Sequence, residues 1–324
     1  MEIIHCHGLY LPAHDLWLDP QKAQAFAYVS HGHSDHTARH KAVFCTPETA
    51  AIMRLRLGAN RREQTAVFGE RTELCGGKAT LLSAGHVLGA AQMFFESDAG
   101  SMLYTGDFKL RPSLSVLPAQ WCKADTLVME TTFGLPKYRM PPTADVLAAL
   151  LAWCREQLAD GTTPILFAYS LGKAQELVCA LIAAGLTPML HDAAWKMCEL
   201  YREFLPAFPA TYRRWKPSEQ AGHVVIWPHT RDTCELDRRF GKYRAAAVTG
   251  WAVESSAKFR YGCAAAFPLS DHADYDELLR AVELVQPKRV LTVHGFAAEF
   301  AADLRRRGVE AWALAQENQM ELPI

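Results

Sequence analysis

Several features are missing from this chain of 324 residues, and each absence narrows what it can be. No run of about 18 apolar residues occurs, so no membrane-spanning helix is expected. Segment 1–15 has neither the basic start nor the apolar middle of a secretion signal. The nine cysteines form no CxxC pair, and an odd, scattered set in a long chain reads as reduced core thiols. A cytoplasmic setting is therefore expected. Neither sign of charge dominates: 34 Lys+Arg against 35 Asp+Glu give a formal net charge of −1. That excludes a polybasic or histone-like binder, although a local basic groove stays open. No internal repeat or low-complexity tract is visible. What is present is a globule composition, 50% hydrophobic and 21% charged, sufficient for one large or two modest domains. There are 13 histidines, and they are grouped.

Short apolar stretches ending in glycine or polar residues dominate the first third. Segments 3–11 and 15–18 read as strands around Pro12-Ala13-His14, and 26–29 is a compact apolar run. Thr46-Pro47 predicts a helix start, with Gly58 as its stop. Strands follow at 80–83, 92–96, 102–105 and 126–130. The pattern then changes. Thr143 is expected to cap a helix to about residue 158, followed by a strand at 164–168, a helix at 172–184 and a strand at 187–190. This alternation predicts a small α/β unit with parallel pairing. After residue 245 the chain reads like its first third again. The expected organisation is one domain formed by 1–136 and 246–324, interrupted by an insertion over 137–245.

The strongest local signal is His31-Gly32-His33-Ser34-Asp35-His36, four potential metal ligands within six residues, directly after an apolar strand. Imidazole and carboxylate together suit zinc. Other single ligand types also follow strands: His86 in Ala84-Gly85-His86, Asp107 in Thr105-Gly106-Asp107, and His294 in Val293-His294-Gly295. Asp19 ends the Leu16-Trp17-Leu18 strand. Seven plausible ligands exceed the three or four that one zinc needs, which argues for two metals.

In this order the motifs resemble the metallo-β-lactamase superfamily. Thr126-Leu-Val-Met-Glu130, Ser270-Asp271-His272 and Val293-His294-Gly295 resemble the later motifs of its β-CASP nucleases. Phe167-Ala-Tyr-Ser170-Leu-Gly172-Lys173 is similar to the segment opening their inserted cap. The compact length is most similar to the bacterial ligase-associated DNA exonucleases. The resemblance implies an αββα sandwich with an inserted α/β cap. It also implies a DNA exonuclease in repair, using two divalent ions, zinc or manganese. His31, His33 and His86 would hold one ion with Asp107 bridging; Asp35, His36 and His294 would complete the second. Asp19 would orient a ligand histidine from behind. Water activated between the ions would attack phosphorus, and Asp35 is counted with the catalytic residues as well as the ligands. His272 would be the general acid, oriented and kept charged by Glu130. Nucleic acid, single-stranded or end-containing DNA first, is the implied partner, together with a DNA ligase and other repair proteins, and no membrane.

Two alternatives stand beside this reading. A histidine at the position of His294 is typical of RNA-acting members, so RNA processing remains open. A thioester or lactam hydrolase on the same scaffold would explain the ligands but not Glu130, His272 or the insertion. Ser170, Gly172 and Lys173 at a helix start would hold a phosphate, with Ser270 beside them as a further substrate contact. Between Tyr212 and Arg244, eight Lys/Arg face four acids, interleaved with Tyr212, Trp215, Trp227, Phe240 and Tyr243. Such a mixture suits a groove for single-stranded nucleic acid, against the plainer reading of a solvated rim over core aromatics. His5 and His7 are expected to be partly buried structural residues. His40, His191, His223 and His229 are expected at the surface or as satisfied core, and Asp274 is expected to cap a helix.

Overall fold

The computed structural model describes residues 1–314. It forms two compact units: Met1–Tyr138 joined by the chain from His272 onward, and Arg139–Asp271. The first unit contains β1 (Ile4–His5), β2 (Leu9–Leu11), β3 (Leu16–Leu18), β4 (Ala27–Tyr28), β5 (Ala42–Cys45), α1 (Pro47–Leu57) and β6 (Arg62–Thr65). It continues through β7 (Arg71–Leu74), β8 (Gly77–Ser83), β9 (Ala91–Ser97), β10 (Gly100–Tyr104) and β11 (Thr126–Glu130). The second unit holds α2 (Thr143–Ala159), β12 (Thr163–Phe167), α3 (Lys173–Ala183), β13 (Pro188–Leu190), α4 (Asp192–Phe204) and β14 (Arg213–Arg214). After these come β15 (Val224–Trp227), α5 (Thr233–Phe240), β16 (Tyr243–Val248), α6 (Ala257–Arg260) and β17 (Ala265–Phe267). The chain then re-enters the first unit with α7 (Tyr275–Val285), β18 (Arg289–Val293), α8 (Ala297–Arg306) and β19 (Ala311–Ala313).

The first unit is the αββα sandwich. One sheet runs β1 to β6 in chain order, the other β19-β18-β11-β10-β9-β8-β7. Their inner faces share a core in which Leu16, Leu18, Tyr28 and Phe44 meet Leu81, Met93, Phe95 and Val128. Strand alternation divides the residues. In β5, Phe44 joins that core, while Val43 and Cys45 turn outward and pack with Val29, Ala50 and Met53 beneath α1. Thr46 caps α1 by accepting from the Thr49 N–H, Pro47 opens it and Gly58 follows at φ +83°. On the far sheet, α8 packs against β18 and β19. The buried face of α7 carries Leu278, Ala281 and Val285.

The order of strands positions the chemistry. β10, β11 and β18 are parallel neighbours, with Tyr104 opposite Val128 and Glu130 opposite Val293. Parallel pairing brings their carboxyl ends to one edge of the sheet, where Asp107, Glu130 and His294 follow.

The second unit is a six-stranded sheet, β14-β13-β15-β12-β16-β17, parallel throughout. Its extent corrects the expected boundary at residue 245. β16 lies between β12 and β17, so the chain from 246 to 271 completes this sheet rather than returning to the sandwich. The start of α2 also differs. Pro142 is the capping position, without a side-chain bond, and Thr143 is the first helical residue. His5 and His7 are exposed rather than partly buried, because β1 lies at the sheet edge and His7 occupies a turn at φ +54°. No helix among the described residues is long and apolar enough to cross a membrane.

Candidate metal centre

The loop after β4 is shaped by a close approach. A Cβ on Gly32 would come within 2.4 Å of Ile52 Cγ2, so only glycine lets His31 and His33 pass over α1. His31 Nε2 lies 3.0 Å from His33 Nδ1, which lies 3.1 Å from His86 Nε2. Asp107 Oδ2 is 3.5 Å from His31 Nε2 and 3.8 Å from His86 Nε2. A tetrahedral ion with bonds of about 2.0–2.1 Å places its ligand atoms about 3.3 Å apart. Three imidazole nitrogens and one carboxylate oxygen therefore stand at the spacing of a coordination shell, and the donor set fits a divalent metal. Asp107 Oδ2 is also 3.4 Å from His36 Nε2, which is 3.7 Å from Asp35 Oδ2. The His294 ring centre lies 5.4 Å from that of His36. His294 has φ +58°, an uncommon conformation for a non-glycine residue. The next residue, Gly295, also has φ +58°, and a Cβ there would meet the Thr131 carbonyl at 2.5 Å.

Hydrogen bonds behind the donors fix which nitrogen faces inward. Asp19 accepts from the Ser30 N–H at 2.7 Å, Ser30 Oγ at 2.5 Å, His36 Nδ1 at 2.8 Å and the Tyr104 hydroxyl at 2.8 Å. With four donors on two oxygens, Asp19 orients His36 and is not itself free to ligate. Since Ser30 Oγ donates to Asp19, it accepts from His31 Nδ1 at 3.0 Å, leaving the His31 Nε2 lone pair directed at the cluster. Burial holds the His31 imidazole well below its usual pKa, and the neighbouring His36 adds to this. For His36, burial acts in the same direction, but Asp107, Asp35 and Asp19 prevail and raise it well above the usual value. Burial would raise Asp107; His36, His272 and His31 overcome that and hold it well below the carboxylate range. The neutral imidazole of His31 and the ionised carboxylate of Asp107 are forms that coordinate metals, whereas His36 must give up a proton to do so.

His272 Nδ1 is 2.9 and 3.0 Å from the two oxygens of Glu130 and 4.0 Å from Asp107 Oδ2. Glu130 is fully buried and also accepts from the Phe108 N–H at 2.9 Å and the Thr132 hydroxyl at 2.5 Å. The Ala273 N–H donates to the Phe108 carbonyl at 2.7 Å, fastening the His272 segment to the chain after Asp107. Asp274 caps α7 by accepting from the Glu277 N–H, as its sequence position predicts.

His31, His33, His86, Asp107, Glu130 and His272 thus lie together, with His36, Asp35 and His294 beside them. Sequence reasoning missed Ser30, Tyr104 and Thr132, which set the tautomer and orientation of the others. Their only sequence signal is adjacency to His31, Gly106-Asp107 and Glu130. Two members of the expected phosphate cradle in the second unit, Gly172 and Lys173, are otherwise engaged. Lys173 is buried and donates to the Leu269 carbonyl at 2.8 Å and Asp271 Oδ1 at 2.7 Å, and the Gly172 N–H is taken by Gln175 Oε1 at 2.7 Å. Ser270 is buried in the same unit, and the Ser170 carbonyl accepts from Gln175 Nε2 at 3.1 Å. The open aromatic groove is corrected as well: Trp227 and Phe240 are core residues, packed with Ile165 and Val225, and Tyr212 is buried.

An αββα sandwich whose strand ends converge histidines and aspartates on a metal-sized cluster defines a metallo-hydrolase. Comparison with known proteins narrows the class. Residues 264–314 match the family described as the Zn-dependent metallo-hydrolase RNA specificity domain. A protein of Opitutus terrae named "Probable DNA ligase" is 50% identical over 98% of this chain, which spans 31% of that protein. The 5′ exonuclease Apollo of Gallus gallus is 26% identical over 82% of this chain and 58% of its own length. A protein of unknown function from Enterococcus faecalis shares the fold, with a TM-score of 0.56 at 12% identity over 83% of this chain and 75% of that one. The chain belongs to the β-CASP nuclease family of the metallo-β-lactamase superfamily. It spans less than two thirds of the curated relatives that it matches.

Proposed function

We propose that the chain is a two-metal-dependent nuclease that hydrolyses phosphodiester bonds, a DNA exonuclease acting in repair. The observation that carries this reading is the Glu130–His272 pair beside the donor cluster. Phosphodiester cleavage expels a poor alkoxide leaving group that needs a proton, and this buried acid–base pair is placed to supply one, whereas the thiolate of a thioester leaves without it. His31, His33, His86 and Asp107 would hold one ion; His36, Asp35 and His294, sharing Asp107, would hold the second. Zinc or manganese there would activate water near neutral pH and offset charge on the phosphate. With Nδ1 engaged by Glu130, His272 presents Nε2–H to the leaving oxygen. The Glu130 carboxylate favours the charged imidazolium that donates that proton, and the proton is regained from solvent after product leaves. Asp19 and Ser30 keep His36 and His31 in the tautomers that coordinate.

The likeness to a ligase-named protein three times as long supports a setting beside a DNA ligase. Nine free cysteines support a cytoplasmic one. RNA processing is the second reading, favoured by the description of the domain matched at 264–314 and by His294. The test is a paired assay with Zn²⁺ or Mn²⁺ on 5′- and 3′-labelled single-stranded DNA and RNA, beside Asp107→Ala. Laddering of DNA that vanishes in the variant supports the repair exonuclease, and the label gives its polarity. Preference for RNA selects the second reading. Cleavage of neither, with metal bound, refutes both.

A further inference from the structure

Asp107 and His272 are far apart in the chain, yet the segments that follow them in the first unit are tied together at two points. The first tie is made by backbone. The Ala273 N–H donates to the Phe108 carbonyl at 2.7 Å, while the Phe108 N–H donates to Glu130 Oε1 at 2.9 Å. Phe108 is therefore bonded on one side to the orienting carboxylate and on the other to the residue after the imidazole. The second tie is Arg111. Its backbone N–H and Nε donate to Glu277 Oε1 at 2.5 and 3.2 Å, and Nη2 donates to Glu277 Oε2 at 2.5 Å. Nη2 also lies 3.2 Å from Asp274 Oδ2. The Arg111, Asp274 and Glu277 side chains are 16, 10 and 15% exposed, so this forked pair is largely shielded and stronger than a surface ion pair.

Helix α7 does not need this arginine. Its start is already closed by a capping box, in which Asp274 accepts from the Glu277 N–H and Glu277 from the Asp274 N–H, both at 3.0 Å. The helix dipole itself opposes a cation at that end. What Arg111 adds is a link between two segments. A single bond such as that of Ala273 lets the segments pivot about it. A planar fork three residues farther along removes that rotation. Asp107 and His272 stand immediately before the two tied segments, and their separation, 4.0 Å from Oδ2 to Nδ1, follows from how those segments lie.

We propose that Arg111 is a positioning residue for proton transfer, locking the segment that carries His272 to the segment that carries Asp107. The imidazole is thereby held at a fixed distance from the donor cluster. This role depends on the reading of His272 as the general acid.

Turnover on two linkages tests it. One is an ordinary labelled oligonucleotide; in the other, sulfur replaces the bridging oxygen that the wild type expels. A thiolate leaves without a proton, so a fault in proton delivery spares the sulfur linkage. Arg111→Met keeps the length of the side chain and removes the fork. It is expected to lower kcat on the oxygen linkage about 10- to 100-fold, with KM and sulfur-linkage turnover within about threefold of wild type. Metal content by mass spectrometry should be unchanged, and amide exchange at Ala273 should be faster. Arg111→Lys, which keeps a cation for one carboxylate, should recover part of the loss. Unchanged turnover in Arg111→Met, equal losses on both linkages, or metal loss in step with activity overturns the assignment. His272→Ala separates the two levels. If it too fails to spare sulfur, the acid reading falls; if it spares sulfur and Arg111→Met does not, only the role of Arg111 falls. Exchange needs no turnover, so Ala273 exchange as slow in Arg111→Met as in wild type refutes the lock whatever becomes of the nuclease reading.

Discussion

Replacing Glu130 by glutamine isolates what its charge does. Glu130 Oε1 receives the Phe108 N–H and His272 Nδ1, and Oε2 receives the Thr132 hydroxyl and lies 3.0 Å from His272 Nδ1, a contact that an amide NH₂ there would oppose. In Glu130→Gln the amide oxygen can keep the Oε1 contacts, while the NH₂ takes the Oε2 position and the Thr132 hydroxyl rotates to accept. The Thr132 N–H, 3.4 Å from Oε2, then loses its acceptor. The stability cost is about 1–2 kcal/mol, so the chain still folds. A hydrogen bond to a charged partner is worth about 1–2 kcal/mol more than a neutral one. That difference falls on the imidazolium form of His272. The substitution should therefore lower kcat roughly 5- to 30-fold at pH 7 with little change in KM. Loss of a negative neighbour disfavours the charged imidazole, so the alkaline limb of kcat should move to lower pH by about one unit. Steady-state cleavage of a labelled oligonucleotide across pH, with metal content measured by mass spectrometry, reads all three quantities. Asp107, Glu130 and His272 also lie within mutual ligand reach. If Glu130→Gln loses metal in step with activity, the pair belongs to a metal shell and the assignment of an acid is refuted.

Three other outcomes follow from the same geometry. His272→Ala should retain metal yet lose about 10²–10⁴ in turnover, whereas Asp107→Ala should lose metal too; equal metal loss in both would overturn the division of roles. Asp19→Asn tolerates the φ of +45° but opposes an amide NH₂ to one of four donors, and should weaken metal binding about 10- to 100-fold in a chelator competition. His40 is held at about 4 by burial, with its ring nitrogens 3.1 and 3.3 Å from the N–H groups of Gln24 and Ala38. Between pH 6.5 and 4 the unfolded chain takes up the proton and the folded one does not, so stability falls as pH falls. Denaturant melts at pH 7 and pH 5 should show the wild type losing about 1–2 kcal/mol relative to His40→Gln, and parallel curves would refute this.

How much of the fold is legible in the sequence depends on where the information lies. Strand β11 and helix α1 are legible because β11 is a continuous apolar run and Thr46, Pro47 and Gly58 punctuate the helix. The candidate metal ligands are legible because four of them sit in one loop. The end of the second unit is not: β16 and β17 look like sandwich strands, and only their pairing with β12 assigns them elsewhere. Lys173 misleads for a related reason. A lysine at a helix start matches a phosphate cradle, and only the fold places Asp271, 98 residues later, against its ammonium. Trp227 and Phe240 read equally as groove or core, and packing partners distant in sequence decide for core.

The interrupted sandwich also imposes a timetable on synthesis. His31, His33, His86 and Asp107 are all made before the ribosome reaches the second unit, but His272 and His294 come roughly 165 and 190 residues after Asp107. At about 5–20 residues per second, that is an interval of some ten to forty seconds. During it, β11 lacks its neighbour β18, leaving the apolar Leu127, Val128 and Met129 on an open sheet edge. The emerging polypeptide thus spends this period with six of the seven candidate donors, lacking His294, and without His272. Until β18 arrives, that edge is open to pairing with another strand.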